Sequence, residues 1–87
     1  MIKLFTSSKM PNCPGCLAAK KYLASTFIRF EEVDIAKNRA EANIMFKKSK
    51  SLMIPQIQIG KEIVIGFNAR KVAETIGKII EESSQEA

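Results

Sequence analysis

The order of hydrophobic patterns predicts an α/β domain, β-α-β-α-β-β-α, with a four-stranded mixed sheet flanked by three helices. Three observations lead there. Runs rich in β-branched and aromatic residues alternate with stretches of helical periodicity. Two short alternating runs, "PQIQIG" and "KEIVIGF", meet at Gly60-Lys61 as a hairpin would. A cysteine pair, Cys13-Pro14-Gly15-Cys16, falls where the first strand-like run gives way to the first helical one.

The first strand is "IKLFTSS", with Ile2, Leu4 and Phe5 leading into a serine-rich loop. "LAAKKYLAST" then spaces Leu17, Ala18, Ala19, Tyr22 and Leu23 around Lys20 and Lys21. It predicts an amphipathic helix from near Cys13 to Ser25 or Thr26. "FIRFEEVDI", Phe27 to Ile35, is the second strand. Asn38 to Ser49 is a second helix capped by Asn38, with Ala40, Ile44 and Met45 turned inward. Ile57, Ile59, Ile63 and Ile65 alternate with more polar positions in the hairpin.

A last helix starts at Asn68 and puts Val72, Ala73, Ile76, Ile79 and Ile80 on one face. Gly77 costs it roughly 1 kcal/mol relative to alanine, which loosens the final turns, and "SSQEA" reads as a frayed end. A helix between the first two strands implies a parallel pair with a right-handed crossover, and the hairpin adds an antiparallel edge. There is neither an internal repeat nor a linker, so residues 1–87 form one domain, ordered from 2 to about 82.

Composition narrows the function. Eighty-seven residues support one small core. A hydrophobic content of 46% with 26% charged residues is that of a folded soluble domain rather than a disordered chain. Apolar runs fall far short of the roughly 20 residues a membrane span requires, and the N-terminus lacks the pattern of a secretory leader. The expected setting is cytoplasmic, away from membranes. The net charge of +5 is scattered except at Lys47–Lys50, and the few aromatics sit in apolar contexts. These features argue against a nucleic-acid surface and for solubility with a mild preference for acidic partners.

The two cysteines are too few for a secreted disulfide framework. At positions i and i+3 of a helix start their sulfurs can meet with little backbone change, so one chain can cycle between dithiol and disulfide. Cys13 faces the free N–H groups of the helix N-terminus, which stabilise a thiolate and lower its pKa below the free value of about 8.5. Cys13 is therefore the attacking thiol, and Cys16, one turn further in, the resolving one. Pro14 suits the first helical position, and Gly15 leaves a partner's backbone unobstructed. Lys9 is the nearest preceding cation that can favour the thiolate. With no histidine in the chain, Cys-His catalysis is excluded. Zinc and iron–sulfur sites need four ligands, so a metal or cluster would have to be shared between two chains or with outside thiols. A redox-sensing binding module is the third alternative.

The strand-CxxC-helix opening, "MIP" at Met53-Ile54-Pro55 before a strand, and "IGF" at Ile65-Gly66-Phe67 before the last helix together resemble the glutaredoxins and glutaredoxin-like redoxins. The resemblance spans residues 2 to about 80. It implies a thioredoxin-like fold of glutaredoxin type and reduction of protein disulfides by the two-cysteine mechanism. It also implies a cis Pro55 lying against Cys13 and an Ile54 backbone that pairs with the guest chain. Gly66 matches the first glycine of the family pair and Phe67 replaces the second. Asn68 stands where many members carry an aspartate that caps the helix and meets glutathione.

The Gly66-Phe67 form is similar to small redoxins that serve ribonucleotide reductase or are recharged by thioredoxin reductase, although their tryptophan is absent here. By this resemblance no cofactor is resident. Electrons come from glutathione or a thioredoxin-reductase-type enzyme, and the protein works as a monomer. The groups available for glutathione's charges are Lys9, Asn68, Arg39 and Arg70. The connection from Thr6 to Cys13 is about three residues longer than the family's usual one, so Met10 falls where strand register alone would put the first cysteine. The distance to Lys20, Lys21, Tyr22 and Leu23 instead selects the pair Cys13 and Cys16.

Overall fold

The computed structural model describes residues 2–26 and 28–85, with side chains as far as Ile80. The elements follow the expected order: β1 (Ile2–Thr6), α1 (Pro14–Ser25), β2 (Phe30–Asp34), α2 (Arg39–Ser49), β3 (Gln56–Ile59), β4 (Glu62–Ile65) and α3 (Ala69–Gln85). They form one sheet in the order β2-β1-β3-β4. β1 runs parallel to β2, with Phe5 opposite Val33, and antiparallel to β3, with Leu4 opposite Ile57. β3 and β4 close the antiparallel hairpin, with Ile57 opposite Val64.

β1 is central because it is apolar on both faces, and the sheet is covered on both. One face carries Ile2, Leu4, Ile57, Ile59 and Val64 against Ala19 and Leu23 of α1 and Val72 of α3. The other carries Phe5 and Val33 against Met45 of α2, with Ile35 and Ile63 alongside. On this second face Lys3 reaches Glu41 at 3.1 Å, tying β1 to the first turn of α2.

Several details depart from the sequence pattern. β2 begins at Phe30 rather than Phe27, which lies outside the described residues. In α2, Met45 alone is buried, while Ala40 and Ile44 face solvent, because the second face is small and Met45 with the Lys3–Glu41 pair suffices to cover it. The two-residue turn, with Gly60 at φ +59° where such hairpins need glycine, pairs Ile59 with Glu62 and Ile57 with Val64. That register sends Ile63 to the α2 face and leaves Ile65 exposed at the edge strand.

In α3, Val72 is buried and Ile76 and Ile79 pack half-buried on the core, whereas Ala73 and Ile80 are exposed. The helix passes through Gly77 without a break and continues to Gln85, so Ser83 to Gln85 of the expected frayed end are helical. Glu86 and Ala87 lie outside the described residues.

Candidate functional site

The site is assembled where the loop after β1, the start of α1 and the turn before β3 converge. The loop has structure of its own. Asp34, at the end of β2, accepts hydrogen bonds through Oδ1 from the backbone N–H groups of Ser8 (3.0 Å) and Ala36 (2.9 Å). The Ser8 bonds, chiefly the backbone N–H, hold its carboxyl below the usual aspartate range. Met10 N–H donates to the Ser7 carbonyl at 3.0 Å, closing a turn with Ser8 and Lys9 at its corners; Met10 leads from it into a second turn at Pro11-Asn12. Met10 is 57% exposed.

Cys13 is the N-cap of α1. Its Sγ accepts a hydrogen bond from the Cys16 N–H at 3.1 Å, and its carbonyl accepts from Leu17 N–H at 3.1 Å. Pro14 occupies the first helical position and the first turn carries no acidic residue, so the positive end of the helix is left to the sulfur. Cys13 is half-buried and Cys16 buried. The two form a disulfide, with Cα atoms 5.3 Å apart. Cys13 is thus the more accessible of the two sulfur-bearing residues.

The Ile54-Pro55 bond is cis, and Pro55 is buried against the motif. Its contact is with Gly15, where a Cβ would stand 3.1 Å from Pro55 Cδ. The space left by the missing side chain is therefore filled by the proline from within the fold, which corrects the expectation that Gly15 leaves a partner room. The Pro55 carbonyl accepts from Gly66 N–H at 2.8 Å, and Gly66 holds φ +78°, a backbone state that glycine adopts without penalty.

Sequence reasoning missed Gln56. Fully buried, it donates from Nε2 to the carbonyls of Ser51 (2.9 Å) and Met53 (2.8 Å), pinning the segment that delivers Ile54. As a glutamine in an alternating strand it reads as solvent-facing; only the covering of the second sheet face buries it.

Of the sequence-derived site residues, Pro14, Ile54, Pro55 and Gly66 gather around the cysteine pair through these contacts. Phe67 instead packs half-buried on the core beside Tyr22, ring centroids 5.7 Å apart, and so joins α3's start to α1. Asn68 caps α3, its Oδ1 accepting from Lys71 N–H at 3.2 Å. Lys9 is exposed on the loop and, like Arg39 and Arg70, lines neither of the two clefts beside the cysteines.

Those clefts adjoin each other at Met10 and Pro11. The front one, about 300 Å³, is bounded by Met10, Pro11, Asn12, Cys13 and Pro14. The rear one, about 320 Å³, reaches Cys16 and includes polar lining residues, where Glu32 accepts from Thr6 Oγ1 (3.1 Å) and pairs with Lys20 (3.0 Å). Met10 and Pro11 line both.

The chain is similar to known proteins over most of its length. The Glutaredoxin family profile matches residues 2–64. An uncharacterised glutaredoxin-like 8.6 kDa protein of the rubredoxin operon of Clostridium pasteurianum is 36% identical over 78 residues, covering 90% of this chain and all of that one. Among solved structures, a glutaredoxin from Archaeoglobus fulgidus superimposes with a TM-score of 0.75 at 24% identity, over 86% of this chain and 84% of its own. The NrdH-redoxin of Escherichia coli, a glutaredoxin-like protein with a thioredoxin-like activity profile, gives 0.70 at 18% identity, over 84% and 91%. These two establish the thioredoxin-like fold, and the family match with the Clostridium relative establishes kinship. A Cys13–Cys16 pair capping its first helix, set against a cis proline, thus belongs to a member of the glutaredoxin family, a glutaredoxin-like redoxin.

Proposed function

We propose that this protein is a dithiol-disulfide oxidoreductase that reduces protein disulfides, with Cys13 as nucleophile and Cys16 as resolving thiol. The observation that carries the reading is the N-cap position of Cys13, whose sulfur receives the Cys16 N–H at the positive end of α1. After reduction the same N–H and helix end favour the thiolate.

The chemistry runs in two exchanges. The Cys13 thiolate attacks one sulfur of the substrate disulfide; the first substrate thiolate leaves and a mixed disulfide forms. The Cys16 thiolate then attacks Cys13 Sγ, the second substrate thiolate leaves, and the Cys13–Cys16 disulfide results. Two electrons pass to the substrate, and the departing thiolates take protons from solvent.

Ile54, Pro55 and Gly66 form the backbone platform for the guest. Among the described residues the Ile54 N–H and C=O have no hydrogen-bond partner, as strand-like pairing with a guest requires. A protein reductase of the thioredoxin-reductase type suits the return of electrons better than glutathione, because Lys9, Arg39 and Arg70 stand away from the clefts beside Cys13. Ribonucleotide reductase is one acceptor of the proposed class. The protein acts as a monomer in the cytoplasm, with neither nucleic acid nor membrane as partner.

The test uses pre-reduced protein and insulin as the disulfide substrate. Cys13→Ser should abolish reduction. Cys16→Ser should accumulate a mixed disulfide visible as a mass adduct on Cys13. Undiminished reduction by Cys13→Ser would overturn the proposal.

A further inference from the structure

We propose that the loop segment Met10-Pro11 forms a specificity subsite for an apolar side chain adjoining the substrate cysteine, so that the preferred substrates are polypeptide disulfides flanked by hydrophobic residues. The proposal rests on the reading of Cys13 as nucleophile and adds the substrate class to it.

The argument starts from what must occupy the front cleft. Cys13 is itself part of its wall, beside Met10, Pro11, Asn12 and Pro14. Any chain joined to Cys13 Sγ in a mixed disulfide therefore lies over this cleft, and the residues next to its own cysteine are those within reach. At about 300 Å³ the cleft is at the small end of binding sites, suited to one side chain rather than a whole ligand.

Its walls are apolar apart from Asn12, and Leu17 lines the neighbouring cleft that shares Met10 and Pro11. Leu17 is 60% exposed on α1, and Leu52 and Met53, in the segment leading to Pro55, are 65% and 63% exposed. Exposed large apolar side chains beside a reactive atom, as Met10 is beside Cys13, mark a binding surface. Methionine, unbranched and polarisable, adapts to guests of different shape. Ser8 is tied to Asp34 and Met10 N–H to Ser7, so the segment is held in place before a guest arrives. A charged neighbour of the target cysteine, such as the glutamyl or glycyl carboxylate of glutathione, finds no cationic side chain in the cleft wall.

The experiment measures second-order rate constants for stoichiometric reduction, by pre-reduced and desalted protein, of symmetric disulfides of Gly-X-Cys-X-Gly with X as leucine, serine or glutamate. Oxidised glutathione is a further arm. Wild type is expected to favour leucine over serine by about tenfold, with glutamate and glutathione slower still. In Met10→Ser the leucine-to-serine ratio should fall to about twofold, and in Met10→Leu it should return. A wild-type ratio near one, a ratio unmoved by Met10→Ser, or faster reduction of oxidised glutathione than of the leucine peptide would overturn the subsite while leaving the oxidoreductase reading intact. Reduction of none of the four would overturn both.

Discussion

The chemistry of the site turns on where single atoms are held. Cys13 is placed as an N-cap, where serine or aspartate is common, so its sulfur takes the hydrogen bond those oxygens would accept. Asp34 does equivalent work for the loop, accepting from Ser8 and Ala36 N–H while the chain turns toward Met10. Since the folded state holds this carboxyl below its ordinary value, its contribution to stability is present above the unfolded pKa of about 3.9 and is lost as pH falls through the lower folded value. Melting temperatures followed from pH 6 downward should therefore show wild type more stable than Asp34→Asn at neutral pH. The gap should close as the pH falls through the lowered folded-state value. A constant gap across that range would show that the carboxylate's charge does not hold the loop.

At the level of elements, capping and register account for most of the architecture. Asn38 and Asn68 accept from the N–H groups of Glu41 and Lys71 and start α2 and α3 where the asparagines stand. The hairpin register follows from a two-residue turn with glycine first. Gly77 has no such purpose: it lies inside α3, with nothing within 4 Å of where a Cβ would be and no positive φ. Gly77→Ala should stabilise the protein by about 0.5–1 kcal/mol, raising the melting temperature by a few degrees in a thermal scan followed by circular dichroism. The same change at Gly66, at φ +78°, should destabilise by about 1 kcal/mol or more, since alanine is strained there.

For the whole molecule, the decisive feature is that helices cover both faces of the sheet. Gln56 is buried by that arrangement and becomes the tie for the segment carrying Ile54. Gln56→Leu removes both hydrogen bonds: the Met53 carbonyl loses its side-chain donor, while the Ser51 carbonyl keeps Ser49 Oγ. The substitution should cost about 1–3 kcal/mol and speed hydrogen exchange at Met53 and Ile54 relative to β1. An unchanged exchange rate there would show that Gln56 fills space without anchoring.

What the amino-acid sequence determined by itself was local. Element order, the N-caps at Asn38 and Asn68, the glycine turn at Gly60 and the helix-start position of the CxxC pair all follow from periodicity, backbone preference and hydrogen bonding within a few residues. Tertiary structure decided which side of each periodic element meets the core. Ala40, Ile44, Ala73 and Ile80 fit an inward helical stripe, yet they lie exposed because each helix touches the narrow sheet along a line rather than a face. Tertiary structure also set Pro55 into the space above Gly15, buried Gln56, and used Asp34 to aim the long loop at Cys13. Those contacts join residues distant along the chain, and their energies depend on positions that pattern does not encode.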